Sequence, residues 1–382
     1  MCRHISTIFL KISLILFVCI TTTFYMKNTR YLHLFWNTQI YIYLCSQIKS
    51  FMKPQSRNPH FDNLKLILIF LVVFGHAIEY IGNTSRISNA VYSFIYTFHM
   101  PLFVFISGYF TNVTKSFSSS LKILETYLVL QIISLLIGGG LSLTSMFIPQ
   151  WTLWYLVSLS CWRFGIGLFG NHILQNKYTS IIIAFFLSLL VGFIPIQSFI
   201  SFQRTFYFLP FFILGFISRQ CGWYEMTRTI NAKVAYVALS TIFIILLAYG
   251  DNIGRGFFGI SLYDLNQNLP LQLVAKTSKL VISTMVSVCI INCIPNLGKI
   301  SQYGAITLFI YAYHTYAIKV FRYVFGGDLN ILIVTIATIL MFAILIILSK
   351  FKPMNIILNP ISYIKKIREE RKNHNPESKL TD

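Results

Sequence analysis

Residues Phe61–Ile81 read FDNLKLILIFLVVFGHAIEYI, and the fold follows from how this stretch is understood. It is an almost unbroken apolar run of the length that crosses a bilayer, about 20 residues. It nevertheless carries Lys65, His76 and Glu79. Ionisable groups at membrane depth are costly and mark functional positions. At about 100° per residue, the eleven-residue step from Lys65 to His76 returns to nearly the same helix face, roughly 16 Å further along the axis.

Composition places the stretch in context. The 382 residues are 55% hydrophobic and only 11% charged, with a mean hydropathy of +0.67. A soluble domain carries roughly twice that charged share. The expected fold class is therefore an all-α, polytopic integral membrane protein. The net charge of +20 reads as cationic loops at an anionic cytoplasmic leaflet. It does not read as nucleic-acid binding, because no stretch outside the apolar runs is large enough for such a domain. The seven cysteines are odd in number, mostly within apolar segments, and contain no C-x-x-C pair. Neither a disulfide framework nor a metal site is expected from them or from the spacing of the eight histidines.

Ten spans are expected, near 64–81, 91–110, 121–148, 151–169, 179–199, 204–219, 233–249, 270–292, 303–324 and 329–349, with Gly138-Gly139-Gly140 a candidate break in the third. If the residues before the first span are cytoplasmic, Lys53, Arg57, Lys115, Lys122, Arg163, Lys177, Arg219, Arg228, Lys233 and Lys299 fall on that side, followed by the basic tail from Lys350. The other face holds Arg86, Arg204, Arg255, Lys319 and Arg322, diluted by Glu79, Asp251, Asp264 and Asp328. Such a lysine and arginine bias puts both ends of the ten-helix core in the cytoplasm. Three regions result: residues 1–51, the ten-helix domain 52–350, and a basic cytoplasmic tail 351–382. The first is read either as one or two extra membrane segments or as an extension ahead of a translation start at Met52, and the second reading is preferred.

Within the opening stretch, Asp62 or Asn63 is expected to cap the helix, with Lys65 in its first turn. Lys65 is either a snorkelling cation or a ligand contact. His76 is either a buried, hydrogen-bonded histidine or a reactive one. Glu79, three residues on, shares its face and could orient the imidazole. In Phe98-His99-Met100-Pro101, proline removes a ladder hydrogen bond. His99 there is either packed at a kink or turned to the same cavity as His76. Arg204 is an interfacial arginine or a substrate contact, and His314 a packed histidine or part of the central cavity. Trp151, Trp154 and Trp162 read as interface anchors.

Five motifs occur in order: FDNLK running to Gly75-His76, then FHMPLFVFISGYF (98–110), Leu153-Trp154-Tyr155-Leu156, Arg204 leading into Phe208–Gly215, and Leu308–His314 after Gly304. Over about residues 58–350 the chain resembles the family-3 membrane acyltransferases, in their fucose 4-O-acetylase-like branch of bacterial O-acetyltransferases. The family's signature is an arginine, ten residues and a histidine. Lys65 stands here in place of the arginine, which keeps the charge and loses the planar fork. Thr126-Tyr127 stands where Pro-Tyr is commoner.

The resemblance implies an O-acetyltransferase moving acetyl from acetyl-CoA, as co-substrate, to a carbohydrate hydroxyl, with no permanently bound cofactor and no metal. It implies catalytic roles for His76, Glu79 and His99, and substrate contacts at Lys65, Arg204 and His314. Histidine suits proton removal from a sugar hydroxyl, with an ordinary pKa of about 6.5. It could equally carry the acetyl group transiently. Acetyl-CoA is cytoplasmic, whereas His76 lies past the midplane toward the outside. The expected partners are therefore acetyl-CoA, the bilayer of a bacterial plasma membrane and a surface polysaccharide or its lipid-linked precursor. A transporter or flippase of lipid-linked glycans is the alternative; the chain shows no matching halves of the kind many transporters have.

Overall fold

The computed structural model describes residues 58–374 except 80, 82–84, 139, 141, 197–198, 250–255, 296 and 327–328. Residues 1–51, the end of the tail beyond 374, and Asp251, Arg255 and Asp328 therefore lie outside the described residues, as do the expectations that fall on them. The described residues are helical, with no strand among them.

In chain order the helices are α1 (Pro59–Ile78), α2 (Arg86–Tyr109), α3 (Ser116–Gly138), the single turn α4 (Leu143–Met146), α5 (Trp154–Gln175) and α6 (Lys177–Leu190). Then come α7 (Phe202–Tyr207), α8 (Leu209–Cys221), α9 (Trp223–Thr227), α10 (Ala232–Tyr249), α11 (Leu269–Cys293), α12 (Thr307–Phe325), α13 (Ile331–Leu348), α14 (Lys352–Leu358) and α15 (Pro360–His374). Helices stand at all ten expected positions. Among the described residues, however, seven are long and apolar enough to cross a membrane, or eight if α7 and α8 count as one span bent by 57°. The others fall short for local reasons. α6 has 14 residues before a 3₁₀ turn at Val191–Phe193, and α12 carries Lys319 and Arg322 near its end.

Local chemistry sets the boundaries. Proline fits the first helical position because its missing N–H would be unpaired there anyway, and Pro59 opens α1. Asp62 and Asn63 thus lie inside the helix and do not cap it. Asp62 sits in the first turn, where its charge complements the helix dipole. Ser85 caps α2 by accepting from the Ser88 N–H at 3.1 Å. α2 runs on through Pro101, and α3 stops at Gly138, at the start of the glycine run.

α1 lies at the centre, packed by α2, α12, α13 and the 3₁₀ segment Gly298–Ile306. Leu64, Leu68, Ile69, Val73 and Ile78 on it are fully buried. The outer helices show the reverse: Leu332, Ile336, Ile339, Leu340, Ile344 and Ile347 of α13 are each more than half exposed. A continuous exposed apolar face suits lipid and not water. The closest helix pair is α2 with α8. A Cβ at Gly108 would strike the Phe212 carbonyl oxygen, and one at Gly215 would strike that of Phe105. Small residues allow such backbone approach between membrane helices.

The basic tail is not a loose segment as far as it is described. α14 packs on α3 and α12. Glu125 of α3 accepts from the N–H groups of Ile361 (2.6 Å) and Ser362 (3.3 Å) at the start of α15. Thr126, the departure noted above, donates to Asn359 Oδ1 at 3.1 Å.

Candidate active site

α1 presents His76 near its C-terminal end, with its side chain 13% exposed. Its Nδ1 lies 3.3 Å from Glu79 Oε2 and 3.1 Å from the Tyr96 hydroxyl of α2. A carboxylate only accepts, so the contact with Glu79 places hydrogen on Nδ1 and leaves Nε2 with its lone pair. Nucleophile and base sites elsewhere use the same logic, in which a third group fixes the tautomer of an imidazole.

Four residues named from sequence converge here. His76, Glu79, His99 and Arg204 line one small cavity of about 70 Å³, closed by Tyr96, Met100, Trp151, Trp154, Phe208, Phe257 and Phe258. His99 is buried, and its Nδ1 donates to the Ile95 carbonyl at 2.8 Å. Arg204 comes from the short helix α7. Its Nε donates to the Phe258 carbonyl at 3.2 Å, and its guanidinium lies 5.0 Å from the Trp154 ring. That stacking holds the plane while the Nη groups keep no protein acceptor among the described residues. They are available to an oxygen on which negative charge develops.

The other two named residues lie elsewhere. His314 does not line this cavity. It is fully buried behind His76, with ring centres 5.5 Å apart. Its Nδ1 donates to the Tyr311 carbonyl at 2.6 Å, and its Nε2 has no partner among the described residues. Lys65, on the same stripe of α1 as His76, lines a separate cavity of about 240 Å³ with Arg163, Tyr155, Ser107, Phe110 and Tyr311. The helix rise between the two residues accounts for this. The Lys65 ammonium is not free in the interface: it lies 3.9 Å from the Phe110 ring centre and 4.0 Å from Asp62 Oδ1.

Sequence reasoning missed several residues. Tyr96 could have been found, being three residues before His99 and so on its face. Arg163, with its buried Nε unpartnered, was read only as a topology marker. Trp151, Trp154 and Trp162, expected as interface anchors, turn their rings toward other side chains and backbone of the core. Trp151 stands edge-on to His76 with ring centres 5.2 Å apart, Trp154 stacks on Phe208, and Trp162 donates to the Thr205 carbonyl at 2.9 Å. Hydropathy shows that a helix is near a boundary, not which way its aromatic groups turn.

A family model described as an acyltransferase domain, Acyl_transf_3, matches residues 58–157. The matched stretch holds Lys65, His76, Glu79, Tyr96, His99, Trp151 and Trp154; Arg163, Arg204 and His314 lie beyond it. Nodulation protein NolL of Mesorhizobium japonicum is 41% identical over 69 residues, which cover 16% of this chain and 18% of NolL. The chain thus matches less than a fifth of that relative's length. No solved structure matches. Residues 58–157 are thus similar to the family-3 acyltransferase domain, and the lysine–histidine helix lies inside the matched stretch.

Proposed function

We propose that the protein moves an acetyl group from acetyl-CoA to a carbohydrate hydroxyl, on a surface polysaccharide or its lipid-linked precursor, across a ten-span core with both ends cytoplasmic. The observation that carries this reading is the His76–Glu79–Tyr96 arrangement at a cavity that also presents the Arg204 guanidinium. The sugar oxygen attacks the thioester carbonyl carbon as its proton passes to His76 Nε2. The oxyanion that forms is met by Arg204. The C–S bond then breaks, and the CoA thiolate takes the proton back from His76. The acyltransferase domain stands against the transporter or flippase alternative.

The donor's phosphates belong, on this reading, with Lys65 and Arg163, two cations lining one cavity with Tyr155 and Ser107. Tyr311 borders that cavity and lies 5.6 Å ring to ring from His314, which backs His76. Lys65→Met is expected to raise the KM for acetyl-CoA about tenfold, the loss of one hydrogen bond to a charged group, with little change in kcat. Steady-state kinetics on purified protein check this, and an unchanged KM would remove Lys65 from the donor site. The wider reading is tested in the cell. A deletion strain should lose O-acetyl groups from its surface polysaccharide and regain them with the wild-type gene. Chemical analysis showing the same O-acetyl content in all three strains would overturn it.

A further inference from the structure

α11 is long and apolar enough to cross a membrane. It nevertheless buries Lys276, 7% exposed, and half-buries Lys279. Three residues apart, the two share a helix face. The Lys276 ammonium lies 4.8 Å from the Tyr263 ring centre and 5.8 Å from that of Tyr207. It also rests against Gly192, where a Cβ would stand 2.8 Å from Nζ, and Lys279 Nζ rests equally close to Gly256. Neither lysine has a hydrogen bond or ion pair with a described residue. The hydroxyls of Tyr207 and Tyr263 are buried without a hydrogen-bond partner among the described residues. Asp264, beside Tyr263 in sequence, is taken up by its own loop, accepting from the Asn266 N–H at 3.0 Å and Gln267 Nε2 at 2.8 Å.

Two ammonium groups one turn apart repel each other, and a buried cation ordinarily has a counter-charge. The aromatic faces attract a cation, but they leave two phenol hydroxyls unsatisfied, which is itself unfavourable. The cluster offers two cations and two hydroxyl donors and no carboxylate among the described residues. Its chemical complement is an anion with several oxygens.

The cluster shares its walls with the His76 cavity. Helix α7 supplies Arg204 to the cavity and Tyr207 to the cluster. The segment 256–263 supplies Phe257 and Phe258 to the cavity, and Gly256 and Tyr263 to the cluster. We propose that Lys276, Lys279, Tyr207 and Tyr263 form an anion-binding site that holds a phosphoryl or carboxylate group of the sugar acceptor beside the His76 cavity. The identity of the bound molecule as acceptor rests on the function proposed above; the existence of the anion site does not.

Calorimetric titration of the purified full-length protein in detergent tests the site, with inorganic pyrophosphate as probe. The starting protein carries Lys65→Met and Arg163→Met, which removes the cations of the other cavity. Saturable, salt-sensitive binding is expected there, weakened at least about tenfold by adding Lys276→Met and Lys279→Met. Adding Tyr207→Phe and Tyr263→Phe instead should weaken it severalfold while keeping the packing, and decides the matter if the lysine variant does not fold. Tighter binding of a polyprenyl pyrophosphate than of pyrophosphate assigns the anion to a lipid-linked acceptor. Tighter binding of galacturonate assigns it to an acidic sugar. No binding in the starting protein, or unchanged affinity in a folded cluster variant, overturns the proposal. Binding is read without turnover, so failure of the acetyl-transfer reading would leave this result standing.

Discussion

His76→Ala is expected to lower kcat for acetyl transfer about 10³-fold, the scale of a lost general base, in protein that still folds. The geometry argues for a large effect. His76 is the imidazole whose Nδ1 is held by a carboxylate and a tyrosine hydroxyl while its ring borders the cavity. His99 lines the same cavity with its Nδ1 already committed to the Ile95 carbonyl and no carboxylate hydrogen-bonded to it among the described residues. His314 is walled off from the cavity, so neither neighbour is placed to take over. Folding should survive, because the side chain stands at the cavity edge and most of the buried surface of α1 lies on other residues. Acetyl transfer to a glycan acceptor, measured beside a thermal unfolding curve, checks both points. Full transfer by a folded variant would take the catalytic role away from His76.

Gly215→Val is expected to be the most destabilising single change outside the site. The side chain would be driven into the Phe105 carbonyl, and the reciprocal contact at Gly108 prevents α2 from sliding aside. Overpacking a tight contact costs about 1–3 kcal/mol and occasionally more; a backbone obstacle at both glycines belongs at the upper end. About 3 kcal/mol corresponds to a fall in Tm of roughly 4 °C for a chain of this size. α2 carries Tyr96 and His99, and α7 with Arg204 precedes α8 directly, so activity should fall with the fold. Gly165→Ala is the control, because nothing lies within 4 Å of a Cβ there. Equal melting temperatures for wild type and Gly215→Val would refute the close-crossing argument.

Much of the fold was legible because membrane helices must satisfy their backbone groups internally and face apolar lipid, and both constraints leave long apolar runs. The importance of α1 was visible in a lysine, a histidine and a glutamate set in or just after an otherwise apolar run. The site was legible where chemistry and helix periodicity coincide, as at His76 with Glu79. It was not legible where residues meet only in three dimensions. Trp151 reaches His76 from a 3₁₀ turn 75 residues on, and Arg204 is held by a backbone carbonyl that any residue at 258 would supply. Lys65 shows the other limit. A helical stripe says that two residues look the same way, and only the packing around them divides one stripe between two cavities. The bent pair α7 and α8 illustrates the same point: hydropathy counts apolar residues but not a 57° bend at Phe208.

The edge-on contact between Trp151 and His76 has an optical consequence. An imidazolium quenches indole emission far more strongly than a neutral imidazole does. Of the five tryptophans, Trp151 and Trp154 line this cavity, and Trp151 stands 5.2 Å from the His76 ring at an interplanar angle of 70°. Trp151 emission is therefore expected to fall whenever His76 becomes charged. With Trp151 present, stopped-flow mixing with acyl donor alone would separate a histidine that becomes charged only as the sugar attacks from one that is acylated beforehand.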